Sequence, residues 1–188
     1  RQRLSVLREL EKNMDGYQNS VRAVMRAAGA RRLRGVLGPV STILKVEPGC
    51  EVAIETALGG ALQNIVVENE AAAKAAIALL RNDHAGRATF LPLDTVQPGA
   101  FRGRLSGTAR LASALVQADS RYENIVSNLL GRIIVVEDIN EASRVARDNG
   151  YHNKVVTMDG QVVNAGGSFT GGSVQRSAGL FTRKQEME

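Results

Sequence analysis

Two stretches of the chain repeat one another. Ile65-Val66-Val67-Glu68-Asn69 is an apolar run ending in an acid, and Ile134-Val135-Val136-Glu137-Asp138 repeats it. The first leads into an Ala-rich segment, Ala71–Arg81, the turn Asn82-Asp83 and the run Thr89–Asp94. The second leads into Glu141–Arg147, the turn Asp148-Asn149-Gly150 and the run Lys154–Asp159. A short apolar run without alternation, followed by a helix and a second run, predicts strands covered on both faces and joined by a helical crossover. Each copy is preceded by a further helical stretch, Cys50–Leu62 and Ser120–Leu130. The fold class is therefore α/β (α+β), with two pseudo-repeated α/β subdomains. Residues 35–98 and 108–175 form the half-domains. The glycines and charges of Pro98–Gly107 predict a linker between them, so the first subdomain with its linker runs over 35–107. Gly35–Val40 reads as a turn or short strand, and Val46-Glu47-Pro48-Gly49 as a turn into the next helix.

The second copy continues into Val163-Asn164-Ala165-Gly166-Gly167-Ser168-Phe169-Thr170-Gly171-Gly172. Glycine within a strand weakens it, so four of them around Ser168-Phe169-Thr170 call for a bulge, a positive φ, or a close approach of another backbone or ligand. We read the stretch as a contact edge, with an irregular surface loop as the alternative. A phosphate loop fails on residues: either alignment of G-x-x-x-x-G-K-[ST] puts Gly172 or Ser173 where the lysine must stand. A G-x-G-x-x-G fingerprint opening a helix is absent as well.

At the front of the chain, Leu7, Leu10, Met14, Tyr17, Val21, Val24 and Ala28 alternate at spacings of three and four, the seam of a coiled coil. Gly16 weakens this helix and Gly29 suits its end. Leu180, Lys184 and Met187 have matching spacing near the other end. Residues 1–34 and 176–188 thus read as stubs of one antiparallel coiled coil, the alternative being a single amphipathic helix packed on the core. Arg1 in first position predicts a piece of a longer chain. Charge follows the same division: residues 1–34 hold nine Lys/Arg against three Asp/Glu, residues 35–175 hold twelve against fourteen, and residues 176–188 three against two. The net +5 is concentrated at the ends, which predicts a surface for a polyanion such as DNA.

Positive signs of catalysis are missing. His84 and His152, the two histidines, have no neighbours at metal-ligand spacing. No G-x-S-x-G elbow surrounds a serine, and Ser168 has no base partner legible in the sequence. Glu68 and Glu137 recur because the chain is duplicated, not because they form an acid/base pair. No cofactor is expected. The single cysteine, Cys50, cannot form an internal disulfide, and there is neither an eighteen-residue apolar run nor a secretion leader. These features predict a reducing, cytoplasmic setting and no membrane partner.

The duplicated halves, the heptads at both ends and the glycine-rich edge together resemble the hinge domain of bacterial structural maintenance of chromosomes (SMC) proteins. The residues that carry the resemblance are Gly35–Gly38, Ala53–Val67, Ala88–Asp94 and Val163–Gly172. Ala165 stands where many relatives are expected to have proline. The resemblance implies a non-catalytic homodimerisation centre in a chromosome condensation and segregation ATPase whose ATP-binding heads lie elsewhere. It also implies a nucleoid-associated protein whose accessory subunits bind outside this part. Dimerisation then falls to Gly166, Gly167, Ser168, Phe169, Thr170, Gly171 and Gly172, through paired sheet edges in a two-fold ring. DNA contact falls to Arg26, Arg31, Arg32, Arg34, Arg176, Arg183 and Lys184 at the junction of hinge and coiled coil. The competing reading is a small-ligand- or nucleotide-binding α/β enzyme domain that uses the Gly-rich loop.

Overall fold

A computed structural model describes residues 16–173. The expectations for 1–15 and 174–188, which include Leu7, Leu10, Met14, Arg176, Leu180, Arg183, Lys184 and Met187, lie outside the described residues. Within them the chain forms two compact units, one from the residues up to Ile43 with Gly60–Val96, the other from Leu44–Gly59 and the residues from Gln97 onward.

The first unit is built on a three-stranded sheet, β1 (Val36–Pro39), β3 (Ile65–Val67) and β4 (Phe90–Pro92) in the order β1-β3-β4. Central β3 runs antiparallel to β1 and parallel to β4. All three β3 residues are fully buried, which explains why the triplet shows no polar alternation. The crossover from β3 to β4 is α4 (Glu70–Asn82), started by the Asn69 side chain accepting from Ala72 N at 2.9 Å. Its buried Ala72, Ala73, Ala76 and Leu80 face α1 (Asn19–Gly29), whose Val21, Val24 and Ala27 fill the same core as Ile65 and Val67. Full burial of each such Val or Ile side chain contributes about 1.5–3 kcal/mol.

The helix expected to run unbroken from the front of the chain to Ala28 instead has its described start at Asn19. Gly16 takes φ 91 and Gln18 is extended, so the chain turns before it coils. Tyr17, Val21 and Val24, three positions of the heptad seam, lie in the unit's own core. Tyr17 Oη and Ser41 Oγ, on the short helical turn α2 (Val40–Ile43), are hydrogen-bonded there.

The second unit repeats the plan and extends it. In its five-stranded sheet, β5 (Arg110–Leu111) is antiparallel to β7 (Ile134–Val136), and β7 is parallel to β8 (Val155–Thr157). These relations match β1, β3 and β4 strand for strand, so the duplication is one of structure as well as sequence. The crossover helix α6 (Ile139–Asp148) opens on a variant of the capping box, in which the returning bond goes to the residue before the N-cap. Asp138 accepts from Glu141 N at 2.9 Å, and Glu141 accepts in return from Glu137 N at 3.2 Å. Two further antiparallel strands, β9 (Val162–Val163) and β10 (Phe169–Thr170), complete the order β10-β9-β8-β7-β5.

Two stretches that the sequence reading attaches to the first half fall in this unit. Residues 44–59 supply β2 (Lys45–Val46), paired with β6 (Val116–Gln117), and α3 (Glu51–Leu58), which packs on β8. α5 (Glu123–Leu130) also belongs here. Residues 97–107, expected as a linker, are held on the unit's surface by Ser127, Asn128 and Asn149.

Candidate association edge

The glycine-rich stretch forms a hairpin with β10 as the terminal strand of the sheet, and among the described residues no strand pairs with its outer side. Asn164 N donates to Ser168 O at 2.7 Å, which makes 164/168 a hydrogen-bonded pair. Antiparallel ladders alternate, so Phe169, opposite Val163, directs its N–H and C=O to the open side. Phe169 is 57% exposed, the most exposed large hydrophobic residue among those described. An open strand carrying an exposed aromatic is a template for pairing with another chain.

The turn is fixed from within. Gly166 and Gly167 adopt φ 92 and 100, values an L side chain resists, and Gly166 N donates to Tyr151 O at 2.8 Å. A side chain at Gly171 would collide with Gln161 Oε1. That amide accepts from Gly172 N at 2.8 Å and donates to Gly172 O at 3.0 Å, extending the ladder beyond Thr170. Asn164 Nδ2 reaches Ser168 Oγ at 3.1 Å and Thr170 Oγ1 at 3.0 Å. The structure thus brings the seven residues of the expected edge onto one hairpin. Backbone conformation and packing inside the chain already account for Gly166, Gly167 and Gly171. Gln161 and Asn164 position the edge and escaped the sequence reading. The signal available was an Asn before Gly-Gly, a turn former that bonds its own backbone.

Of the basic residues, Arg26 lies exposed on the last turn of α1, and Arg31, Arg32 and Arg34 lie exposed on the turn that follows. Arg31 takes the left-handed region at φ 62, and Arg32 N folds back onto Ala27 O at 2.8 Å. Arg32 also meets Asp83 at 3.7 Å, but with side chains 61% and 49% exposed the pair contributes little. Elsewhere, burial pushes the Cys50 thiol above its usual range, and the neighbouring Glu47 carboxylate adds to the shift, so the thiolate that reactive cysteines need is disfavoured. Among the described residues no three His, Cys, Asp or Glu side chains gather as metal ligands. No described helix is long and apolar enough to cross a membrane.

A duplicated α/β module with an open, glycine-turned strand edge among its described residues falls in the class of interaction modules, for that edge offers unpaired backbone. The family follows from comparison: residues 33–146 match the model of the SMC proteins Flexible Hinge Domain, and this chain belongs to that family. It is 39% identical over 194 residues to the chromosome partition protein Smc of Desulfitobacterium hafniense, and 35% identical over 196 residues to that of Bacillus subtilis. The alignments take in 99% and 100% of this chain but 16% of each relative's length. Among solved structures it resembles an asymmetric dimer of the Geobacillus stearothermophilus SMC hinge domain, with TM-score 0.89 and 37% identity over 98% of this chain and 76% of that one. The Pyrococcus furiosus SMC hinge domain gives TM-score 0.71 and 28% identity over 92% of this chain and 88% of that one.

Proposed function

We propose that this chain is the homodimerisation hinge of a chromosome condensation and segregation SMC protein. The observation that carries the reading is the outer side of β10, unpaired among the described residues, with its exposed Phe169. The similar Geobacillus stearothermophilus hinge domain, described as a dimer, supports it. In a two-fold dimer the β10 edge of one protomer meets the first unit's sheet in its partner, and symmetry repeats the contact. The hinge has no catalytic part in this reading; ATP hydrolysis belongs to head domains elsewhere in the full-length, nucleoid-associated cytoplasmic protein, as do the sites for accessory subunits. Arg26, Arg31, Arg32 and Arg34, joined by Arg176, Arg183 and Lys184, would meet DNA phosphates where the arms leave the hinge.

The test is sedimentation mass across a concentration series for the parent chain and Phe169→Asp. A charge at this exposed position of the edge strand desolvates poorly in an interface but is harmless to a side chain already facing water. The variant should keep its circular dichroism and thermal midpoint and sediment as a monomer where the parent is a dimer. A variant that stays dimeric at the parent's dissociation constant refutes β10 as the interface.

A further inference from the structure

The stretch 97–104, flexible by composition, is bolted to the second unit. Gly99 N donates to Ser127 Oγ at 3.0 Å, and the same hydroxyl donates to Gly99 O at 2.8 Å. Asn128 Nδ2 donates to Gln97 O at 2.9 Å. Phe101 packs against the unit's hydrophobic core. The Asn149 amide then clasps Arg104 on both sides, accepting from its N at 2.6 Å and donating to its O at 3.0 Å. Gly103 admits this clasp, since a side chain there would strike Asn149 Oδ1.

The result is an open polar groove of about 1130 Å³, whose cationic lining residues are Arg102, Arg104 and Arg132, with His152 and Asn153 beside them. Arg132 is held through its carbonyl, which accepts from Asn153 Nδ2 at 2.8 Å. The one carboxylate in the lining is Asp148. Among the described residues none of the three guanidinium groups has an ion-pair partner, whereas Arg32, Arg110 and Arg144 each have one. Three like charges, two on the braced loop and Arg132 on the turn after α5, repel one another across the groove, so an anion relieves the site.

We propose that this groove binds the phosphodiester backbone of nucleic acid, as a site independent of the basic turn at residues 26–34. Each guanidinium presents a planar fork of donors that suits a phosphate's paired oxygens. Pro98 and Ala100 are the only lining residues with much apolar character. The groove therefore lacks the aromatic or aliphatic pocket that would anchor an acidic peptide, and the imidazole of His152 is the one ring in its lining, too little for a platform on which successive bases stack. Recognition is of charge along a backbone and carries no base sequence.

The experiment measures binding of labelled duplex, single strand and polyglutamate to the full chain over a salt series. It compares the parent, Arg102→Gln/Arg104→Gln/Arg132→Gln and Arg26→Gln/Arg31→Gln/Arg34→Gln. Losing three phosphate contacts should make the log–log salt slope for duplex shallower by about 2.7, at about 0.9 per phosphate, and lower affinity roughly tenfold or more at low salt. A photo-crosslinker on Asp148→Cys, in a Cys50→Ser background, should label duplex and keep doing so in the 26/31/34 variant. An unchanged slope in the groove variant, or no crosslink from position 148, overturns the proposal and leaves the basic turn unaffected. Loss confined to the groove variant supports the groove and counts against the turn instead. Groove-dependent binding of polyglutamate as tight as that of duplex overturns it in favour of an acidic protein partner. Should the triple variant melt below the assay temperature, the crosslink decides alone.

Discussion

Lys154 Nζ donates to the backbone oxygen of Ala57 at 3.0 Å and of Thr56 at 3.3 Å, so a residue at the start of β8 caps the last turn of a helix 97 positions earlier in the chain. The last carbonyls of a helix have no partners of their own, and a cation there also meets the negative end of the helix dipole. This bond ties α3 into the second unit.

Lys154→Met keeps the stem's packing and removes the donor. Two carbonyls lose their partner, so we expect a loss of about 1–3 kcal/mol in urea unfolding at neutral pH. Burial lowers the Lys154 pKa below 10.5. Between the folded value and 10.5 the unfolded chain binds more protons, so this group's contribution to stability rises with pH through that window and is complete above it. The stability gap between parent and variant should therefore widen as pH climbs toward 10.5. A gap that narrows instead would show that the charge is stabilised where it sits.

Glu141 joins the start of α6 to the strap before β5. Its carboxylate accepts from Thr108 Oγ1 and, at 3.0 Å, from Thr108 N, besides closing the capping box at Glu137 N. The Thr108 hydroxyl, then its N–H, hold the Glu141 pKa below 4.5, with smaller help from Glu137 N and Arg144. A lowered carboxylate pKa gives stability that is complete above 4.5 and fades as pH falls through the folded value. Glu141→Gln should cost about 1 kcal/mol near neutrality. Parent and variant should converge in acid, as followed by thermal melts across that range.

The central strands and the helices after them were legible because their causes are local, whereas the caps that start those helices went unread although they are local too. Asn69 and Asp138 cap the helices they precede, and Ile65-Val66-Val67 and Ile134-Val135-Val136 are apolar throughout because both sheet faces are covered. The two-residue strands β2, β5, β6 and β9 carry no period to read. Gly99 and Gly103 look like slack in a sequence, yet each is required by a neighbour about thirty to forty-five residues on, Ser127 and Asn149. The groove arginines escaped for a related reason: a segment balance of −2 averages over three unpaired cations that folding gathers. At the edge, the glycines were legible and their cause was not, since φ and the position of Gln161 are properties of the folded hairpin.

That cause makes the two kinds of glycine separable. Gly166→Ala meets nothing within 4 Å, so its effect is backbone strain alone, about 1 kcal/mol from the left-handed region. Gly171→Ala has ordinary φ but displaces Gln161 and with it both bonds to Gly172. We expect Gly166→Ala to lower the melting point with the dimer intact, and Gly171→Ala to weaken the dimer more than the fold. Equal effects of the two on dimer mass would mean that the hairpin, not the strand edge, is what the partner touches.

The basic turn allows a sharper test than its net charge suggests, because its four arginines differ in what holds them. Arg32 is partly committed to Asp83, and reversing it would leave two carboxylates together, so a clean variant spares it. Arg26→Glu, Arg31→Glu and Arg34→Glu change exposed side chains only. The matching control is Arg81→Glu, Arg87→Glu and Arg147→Glu, also exposed; Lys74 is left out because it pairs with Glu70 at 3.3 Å. Arg144 is left out of the control because it bonds Glu141 Oε2 at 3.3 Å and its reversal would disturb α6. If phosphates meet the turn, the first variant should lose duplex binding steeply near physiological salt while its slope falls by about 2.7. The control, with the same change in net charge, should lose much less. Equal losses would mean that duplex responds to the protein's overall field, and the turn would then have no claim to be a site.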